Sequence, residues 1–172
     1  MLLYWPNNQW NVREDYLYEA YKFAAENSTD PDTQNGAILV DGTGTPVAWG
    51  ANRFPKGIQE TPQRLVRPIK YNFIGHAEDF AVMDAARRGV STVGLTMYAT
   101  WASCNECANS IIESGVCKVV THTKTQGRTP IRWAESIRMA FAKFNEAHVA
   151  IEIYEGDIGG IEIRFNGETF RP

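Results

Sequence analysis

Residue types that bind metals or move protons cluster at two places in this chain. His76-Ala77-Glu78 is one, and Cys104-Asn105-Glu106-Cys107, starting 28 residues after His76, is the other. Two cysteines at i and i+3 lie on one helical face and can share an ion. At a helix N-terminus the free N–H groups and the dipole favour thiolate over thiol. His76 adds a third ligand. Three protein ligands with a fourth position open is the arrangement of catalytic zinc, whereas structural zinc usually takes four. Glu78 then suits a general acid/base; a first-turn carboxylate that only complements the helix dipole is the competing reading. Positions two apart on an ideal helix diverge by about 200°, so His76 and Glu78 share a site only if His76 sits at the helix margin. A C-x-x-C alone also fits a redox pair, and a lone histidine at a helix start also fits a structural cap. No βαβ unit places this C-x-x-C after the first strand, as a thioredoxin-like site requires. Both motifs at the starts of neighbouring helices point to zinc.

The elements that must carry these residues are legible in the pattern. Asn11 is a candidate N-cap for a helix from about Val12 to Glu26, with Tyr16, Leu17, Ala20, Tyr21 and Ala24 as its buried stripe. Strands are predicted over Gly36 to Asp41 and Pro46 to Ala51, joined through Gly42-Thr43-Gly44. Asn52 to Phe73 is a long connection holding three prolines, a length that in compact domains is usually functional or disordered. Further elements are a helix from His76 to Arg88 stopped by Gly89, a strand from Leu95 to Thr100, and a helix from Cys104 to Ser114 stopped by Gly115. A strand from Lys118 to Thr121, a helix from Ile131 to Ala147 and a strand from Val149 to Tyr154 follow, with one more strand expected over Gly159 to Phe165. On the last helix Trp133, Ile137, Ala140, Phe141 and Phe144 share a side and read as core. Strands alternating with helices after a hairpin argue an α/β sandwich with a mixed sheet between helix layers.

Composition narrows the function. The 172 residues suit one domain, taken as residues 1–172 with a C-terminal extension from about 155. Seventeen Lys and Arg against twenty Asp and Glu give a net charge of −3, which speaks against gripping long nucleic acid through phosphates. No apolar run approaches the roughly 18 residues of a membrane span, and the opening residues lack the basic flank of a signal peptide. A soluble, cytoplasmic protein with no membrane partner is the expectation. Three cysteines, an odd count, make a poor disulfide framework.

H-x-E followed by P-C-x-x-C is the general signature of zinc nucleobase deaminases. Here Ser103 stands in place of the proline, and serine can cap the helix that follows. The chain resembles the deoxycytidylate (dCMP) deaminase family over nearly its whole length. The resemblance runs through Asp30-Pro31-Asp32-Thr33-Gln34-Asn35-Gly36-Ala37 and through Gly50-Ala51-Asn52-Arg53-Phe54-Pro55-Lys56-Gly57. Lys70-Tyr71 ahead of the H-x-E motif also fits, as do Ile111-Ile112 and Gly115-Val116 after the C-x-x-C.

That resemblance implies a three-layer α-β-α sandwich with a mixed five-stranded sheet. It implies Zn2+ on His76, Cys104 and Cys107, and Glu78 as proton shuttle. Asn52 would contact the sugar, the Ala37 backbone would meet the pyrimidine, and Ala77 and Ser103 would complete the substrate-binding set. The implied reaction is hydrolysis of dCMP to dUMP and ammonia. The implied assembly is a homo-oligomer, a hexamer in many members. Ala51 and Arg53 replace residues of the segment that serves dCTP/dTTP regulation in the family. The competing functions are a deaminase of a modified dCMP or a nucleoside, a deaminase of a base within RNA or DNA, and a non-catalytic zinc module.

Cations concentrate near this machinery. Arg53, Arg64, Arg67 and Lys70 lie in the loop between Asn52 and His76. Lys124 and Arg128 can approach from the end of the fourth strand, where ligands of α/β sheets gather. These six are candidate phosphate contacts, with a solvated loop face as the alternative. His122 and His148 have no partner motif and read as structural; Cys117 reads as a packed thiol.

Overall fold

The computed structural model describes residues 14–172, so the expected cap Asn11 and the start of its helix lie outside the described residues. The elements are α1 (Glu14–Asn27), β1 (Gly36–Val40), β2 (Pro46–Ala51), α2 (Ala77–Arg88), β3 (Thr96–Ala99), α3 (Asn105–Glu113) and β4 (Lys118–His122). After them come the single turn α4 (Thr123–Gln126), α5 (Ile131–Glu146), β5 (Ala150–Tyr154), β6 (Ile163–Phe165) and β7 (Glu168–Phe170). Five strands form one mixed sheet in the order β2-β1-β3-β4-β5. β1 is antiparallel to both β2 and β3, while β3, β4 and β5 run parallel.

Side chains alternate along each strand, and that period builds the layers. Ala37 and Leu39 of β1 join Met97 and Ala99 of β3 and Val119 of β4 on one face. Ala77, Ala81 and Ala85 of α2, Ala108 and Ile111 of α3, and Ala140 and Phe144 of α5 cover that face. Ile38 and Val40 point the other way with Tyr98 and Val120, against Tyr16, Leu17 and Ala20 of α1. The result is the three-layer sandwich expected from the pattern. Gly89, at φ 69°, and Gly115, at φ 77°, turn the chain sharply after α2 and α3, a backbone region glycine enters freely.

Two expectations are corrected. The single tail strand is a hairpin, β6 paired with β7, whose Ile163, Phe165 and Phe170 pack with Tyr21 of α1. Its turn is Asn166-Gly167, at φ 52° and 87°, the residue pair that supplies two positive φ values in tight hairpins. Cys117 does not pack: it sits one residue before β4 and is exposed, with its thiol 3.2 Å from the Gly94 carbonyl oxygen. The Asn52–Phe73 connection is ordered by 3₁₀ turns at Pro62–Arg64 and Ile69–Asn72 and by a bridge between Arg53 and Gly75. Among the described residues no helix is long and apolar enough to cross a membrane.

Candidate active site

Both metal-ligand motifs begin where extended chain enters a helix. His76 precedes α2 with φ −86° and ψ 154°, and Cys104 precedes α3 with φ −77° and ψ 172°. His76 is therefore off the helix, and the 200° divergence that would separate it from Glu78 does not arise. Its Nδ1 stands 3.3 Å from the sulfurs of Cys104 and Cys107, which are 3.4 Å apart. Donors at about 2.0–2.3 Å from a tetrahedral zinc stand roughly 3.5–3.8 Å from one another. The triangle needs only a few tenths of an ångström of opening, and one nitrogen with two sulfurs is a zinc donor set.

Cys104 is itself the N-cap of α3: its sulfur accepts the Cys107 N–H at 3.5 Å. The capping role expected of Ser103 is thereby corrected, because the helix starts one residue later. The Ser103 hydroxyl is buried and has no hydrogen-bond partner among the described residues. The Cys104 thiol is pushed down to about 5, first by its bond with the Cys107 thiol, against burial and with help from His76. The same contact, together with burial, drives Cys107 upward. Burial opposes a charged His76, but contact with Cys104 and the charges of Glu78 and Asp79 outweigh it, raising His76 to about 9.

Glu78 lies in the first turn of α2 and is 2% exposed. Its Oε2 is buried and has no hydrogen-bond partner among the described residues. Burial is the leading cause that lifts its carboxyl to about 7; Cys104 and Asp79 add to it and His76 opposes. That is a carboxyl able to hold or release a proton near neutral pH.

His76, Glu78 and Cys104 line one pocket with Asp30, Thr33, Asn35, Asn52, Arg67, Lys70, Tyr71, Ile74, Trp101, Ala102, Arg132, Trp133 and Ile137. Asn52 follows the end of β2 and ties three parts of this wall together. Its Oδ1 accepts the Ala77 N–H at 3.0 Å, and its Nδ2 donates to the Thr33 carbonyl at 3.4 Å. One of the orphan N–H groups of α2 is thus satisfied from the residue that follows β2. Of the other expected substrate contacts, Ala37 and Ala77 are fully buried in the core, and Ser103 lies between two lining residues.

The six candidate phosphate cations divide. Arg67 and Lys70 reach the pocket. Lys70 is 2% exposed, with Nζ 2.6 Å from Asp30 and 2.8 Å from Asp32; Arg67 lies 3.1 Å from Asp32. The other four are not in the pocket wall. Arg53 stacks over Phe80 at 4.2 Å and Arg64 over Phe73 at 4.5 Å. Lys124 pairs with Asp157, and Arg128 lies over Phe170 at 4.5 Å. Aromatic faces and nearby carboxylates took these charges.

Among the lining residues to which the sequence pattern gives no site role are Trp133 and Arg132. Trp133 was expected in the core, but its ring stands edge-on to His76 at 5.8 Å and to Trp101 at 5.9 Å in the pocket wall. Arg132 beside it was unassigned. Both sit in the first turn of α5, beyond the end of β4, the place where α/β sheets collect ligands. That position beyond β4 is the signal in the sequence for both residues.

Comparison with known proteins agrees with this geometry. The family model described as the cytidine and deoxycytidylate deaminase zinc-binding region matches residues 11–123. An uncharacterized deaminase of Aliivibrio fischeri is 32% identical over 124 residues, covering 72% of this chain and 81% of the relative. Human deoxycytidylate deaminase is 33% identical over 120 residues, 63% of this chain and 66% of the relative. The chain spans only 57% of the probable deoxycytidylate deaminase of Drosophila melanogaster, at 34% identity over 118 residues, 62% of this chain. The solved dCMP deaminase of cyanophage S-TIM5, in complex with dCMP and dUMP, shares the fold at a TM-score of 0.66 and 24% identity, over 86% of this chain and all of that one. The matched residues contain both ligand motifs and the helices that present them, and this chain belongs to the cytidine and deoxycytidylate deaminase family.

Proposed function

We propose that the chain hydrolyses dCMP to dUMP and ammonia, with zinc held by His76, Cys104 and Cys107. The observation that carries this is Glu78: a buried carboxylate oxygen with no hydrogen-bond partner among the described residues, lining the same pocket as His76 and Cys104. A structural zinc site has no use for such a group. The relatives named deoxycytidylate deaminase support the choice of substrate.

Zinc on these ligands would supply Lewis acidity that brings the pKa of water toward neutrality. Glu78, poised near neutral pH, accepts the proton of the attacking water and passes it to N3 of the cytosine ring. Protonation at N3 withdraws electrons from C4, where the water oxygen adds. Glu78 then carries the second proton to the amino group, the C4–N bond breaks, and ammonia leaves. Asn52 holds the sugar, while Ala37, Ala77 and Ser103 frame the base with backbone and hydroxyl groups. Residues beyond about 155 belong to this same domain as its extension, and the working form is a cytoplasmic homo-oligomer.

The test is a panel of dCMP, deoxycytidine, CMP, 5-methyl-dCMP, adenosine and a tRNA anticodon stem, scored for ammonia release. dCMP is expected to be turned over fastest. Ammonia from the RNA or a nucleoside, with none from dCMP, overturns the assignment.

A further inference from the structure

The pocket has a polar side and an apolar side, and the sheet order keeps them apart. α2 packs over β1 and β2 and carries Glu78. Asn35, just ahead of β1, and Asn52, just after β2, line the pocket with it. β3 lies on the far side of β1 from β2, and α5 packs against α3 and β5. From that direction come Trp101 and Ala102, which follow β3, and Trp133 and Ile137 of α5. The Trp101 Nε1–H is spent on Thr129 Oγ1 at 2.9 Å, so its ring offers the pocket carbon.

A cytosine ring has matching edges. Its C4 belongs at the triangle of His76, Cys104 and Cys107, and its N3 faces Glu78, the group that protonates it. C5 is the other neighbour of C4, so it points away from α2 and toward the tryptophans. C5 and C6 form the edge of the base that carries no hydrogen-bonding atom, and carbon surface is what meets it.

The support behind that wall decides whether it can yield. The Trp101 ring centroid stands 5.9 Å from that of Trp133, at 84°, and 4.9 Å from that of Phe165, at 82°. Trp101 lines the pocket and Phe165 does not, so the Phe165 ring is the backing. It belongs to β6, beyond the family-matched residues 11–123, and is buried with Tyr21, Ile163 and Phe170. β6 is in turn pinned to the residues ahead of β1. Gln34 N–H donates to the Arg164 carbonyl at 2.9 Å, and Arg164 N–H donates to Gln34 Oε1 at 2.8 Å. A close-packed ring held this way transmits pressure rather than absorbing it.

We propose that Phe165 is a positioning residue for substrate choice: by backing Trp101 it sets the largest substituent that the pocket admits at C5 of a pyrimidine nucleotide. The proposal rests on the reading of this pocket as a deaminase site and adds a specificity conferred by the tail rather than by the metal-binding region. One methylene in an apolar pocket sorts substrates by about 10- to 200-fold, so small movements of Trp101 are measurable.

The experiment measures kcat/KM for dCMP, 5-methyl-dCMP and 5-propynyl-dCMP, and separately the calorimetric binding of dUMP, dTMP and 5-propynyl-dUMP, which needs no turnover. In the wild type both quantities should fall as the substituent grows. Phe165→Leu keeps an apolar side chain but withdraws the ring. It should narrow the gap between the propynyl and unsubstituted compounds by about 10-fold, mostly through KM. Trp101→Phe trims the wall itself, leaves the tail intact, and should narrow the gap at least as far. Phe170→Leu weakens the same hairpin at a ring that meets Phe165 and Arg128. It should lower the thermal midpoint and keep wild-type ratios. Unchanged ratios in Trp101→Phe would show that C5 does not meet this wall, and a flat series in the wild type would show that the wall sets no limit; either overturns the proposal. So would Phe165→Leu with wild-type ratios, or Phe170→Leu with ratios as altered as those of Phe165→Leu, since the tail then only supports the fold. Size-dependent binding that Phe165→Leu relaxes, in a protein that deaminates no cytosine compound, supports the wall and removes the proposed reaction. Turnover of dCMP with ratios that no variant changes does the reverse.

Discussion

Cys104 bears several duties in one side chain. Its sulfur caps α3, lies 3.3 Å from the His76 ring nitrogen, and is held low in pKa, most strongly by the Cys107 thiol. Alanine at either cysteine removes a ligand from a set of three, and two-coordinate sites do not retain zinc. Purified wild-type protein should carry about one zinc per chain by elemental analysis. Cys104→Ala and Cys107→Ala should lose both the metal and ammonia release, whereas full turnover in a preparation verified to hold no zinc would refute the site. Glu78 separates chemistry from metal binding. Glu78→Gln is nearly isosteric and cannot carry a proton, so it should keep its zinc and lose roughly 10²-fold or more in turnover. If zinc is lost as well, Glu78 supports the ligands rather than the reaction. These roles were legible because each motif is local, with ligands within three residues of a helix start. The bond that joins Arg132 of the pocket wall to Asn166 was not: it spans a sequence separation of 34, and that from Arg67 to Asn166 spans 99. No periodicity links positions so far apart.

α2 brings His76 and Glu78 to the site only because it lies almost on the backbone of β2. A Cβ placed on Gly50 would stand 1.9 Å from the Ala77 carbonyl oxygen and 2.4 Å from the Ala81 nitrogen. Both are helix backbone atoms and cannot rotate away, so a side chain at Gly50 must push the helix off the sheet. Overpacking a well-filled core typically costs about 1–3 kcal/mol, and here the displaced element carries a metal ligand and the proton carrier. Gly50→Ala is expected to lower the thermal midpoint and to lose activity out of proportion to its stability. Gly42→Ala, where an added Cβ meets nothing within 4 Å, is the matched control and should change stability by no more than about 0.5 kcal/mol. A fully active Gly50→Ala with an unchanged midpoint would show that α2 can yield. At this scale the order of strands and helices was legible, since periodicity and the glycine stops are local signals. Trp133 shows the limit. Its spacing with Ile137 and Phe144 marks one side of α5, but spacing cannot say that the first turn of that side overhangs a pocket while Phe144 enters the core.

The molecule is closed by its tail, which returns to the first helix and to the loop ahead of β1. His122, at the end of β4, is one of the joints: Nδ1 lies 2.8 Å from the Tyr21 hydroxyl of α1, and Nε2 lies 2.8 Å from the Gly156 carbonyl oxygen. A carbonyl only accepts, so Nε2 carries the proton and neutral Nδ1 accepts from Tyr21, whose hydroxyl is held protonated by burial. Burial is also the leading cause that lowers the His122 pKa below that of free histidine; nearby Lys124 adds to it, while the Gly156 bond and Asp157 oppose. The unfolded chain therefore binds a proton here at a pH where the fold does not. Stability is full above the unfolded pKa of about 6.5 and falls as the pH drops through and below it, until the folded imidazole is itself protonated. Thermal midpoints of wild type and His122→Asn, taken at about pH 7 and about pH 5.5, isolate this contribution. Acid also weakens zinc binding, but that loss is common to both proteins and cancels in the comparison. The variant should be less stable at neutral pH, having lost one buried and one partly buried hydrogen bond, and should lose less on acidification than wild type does. An equal or larger acid loss in the variant would show that His122 holds the tail without sensing protons.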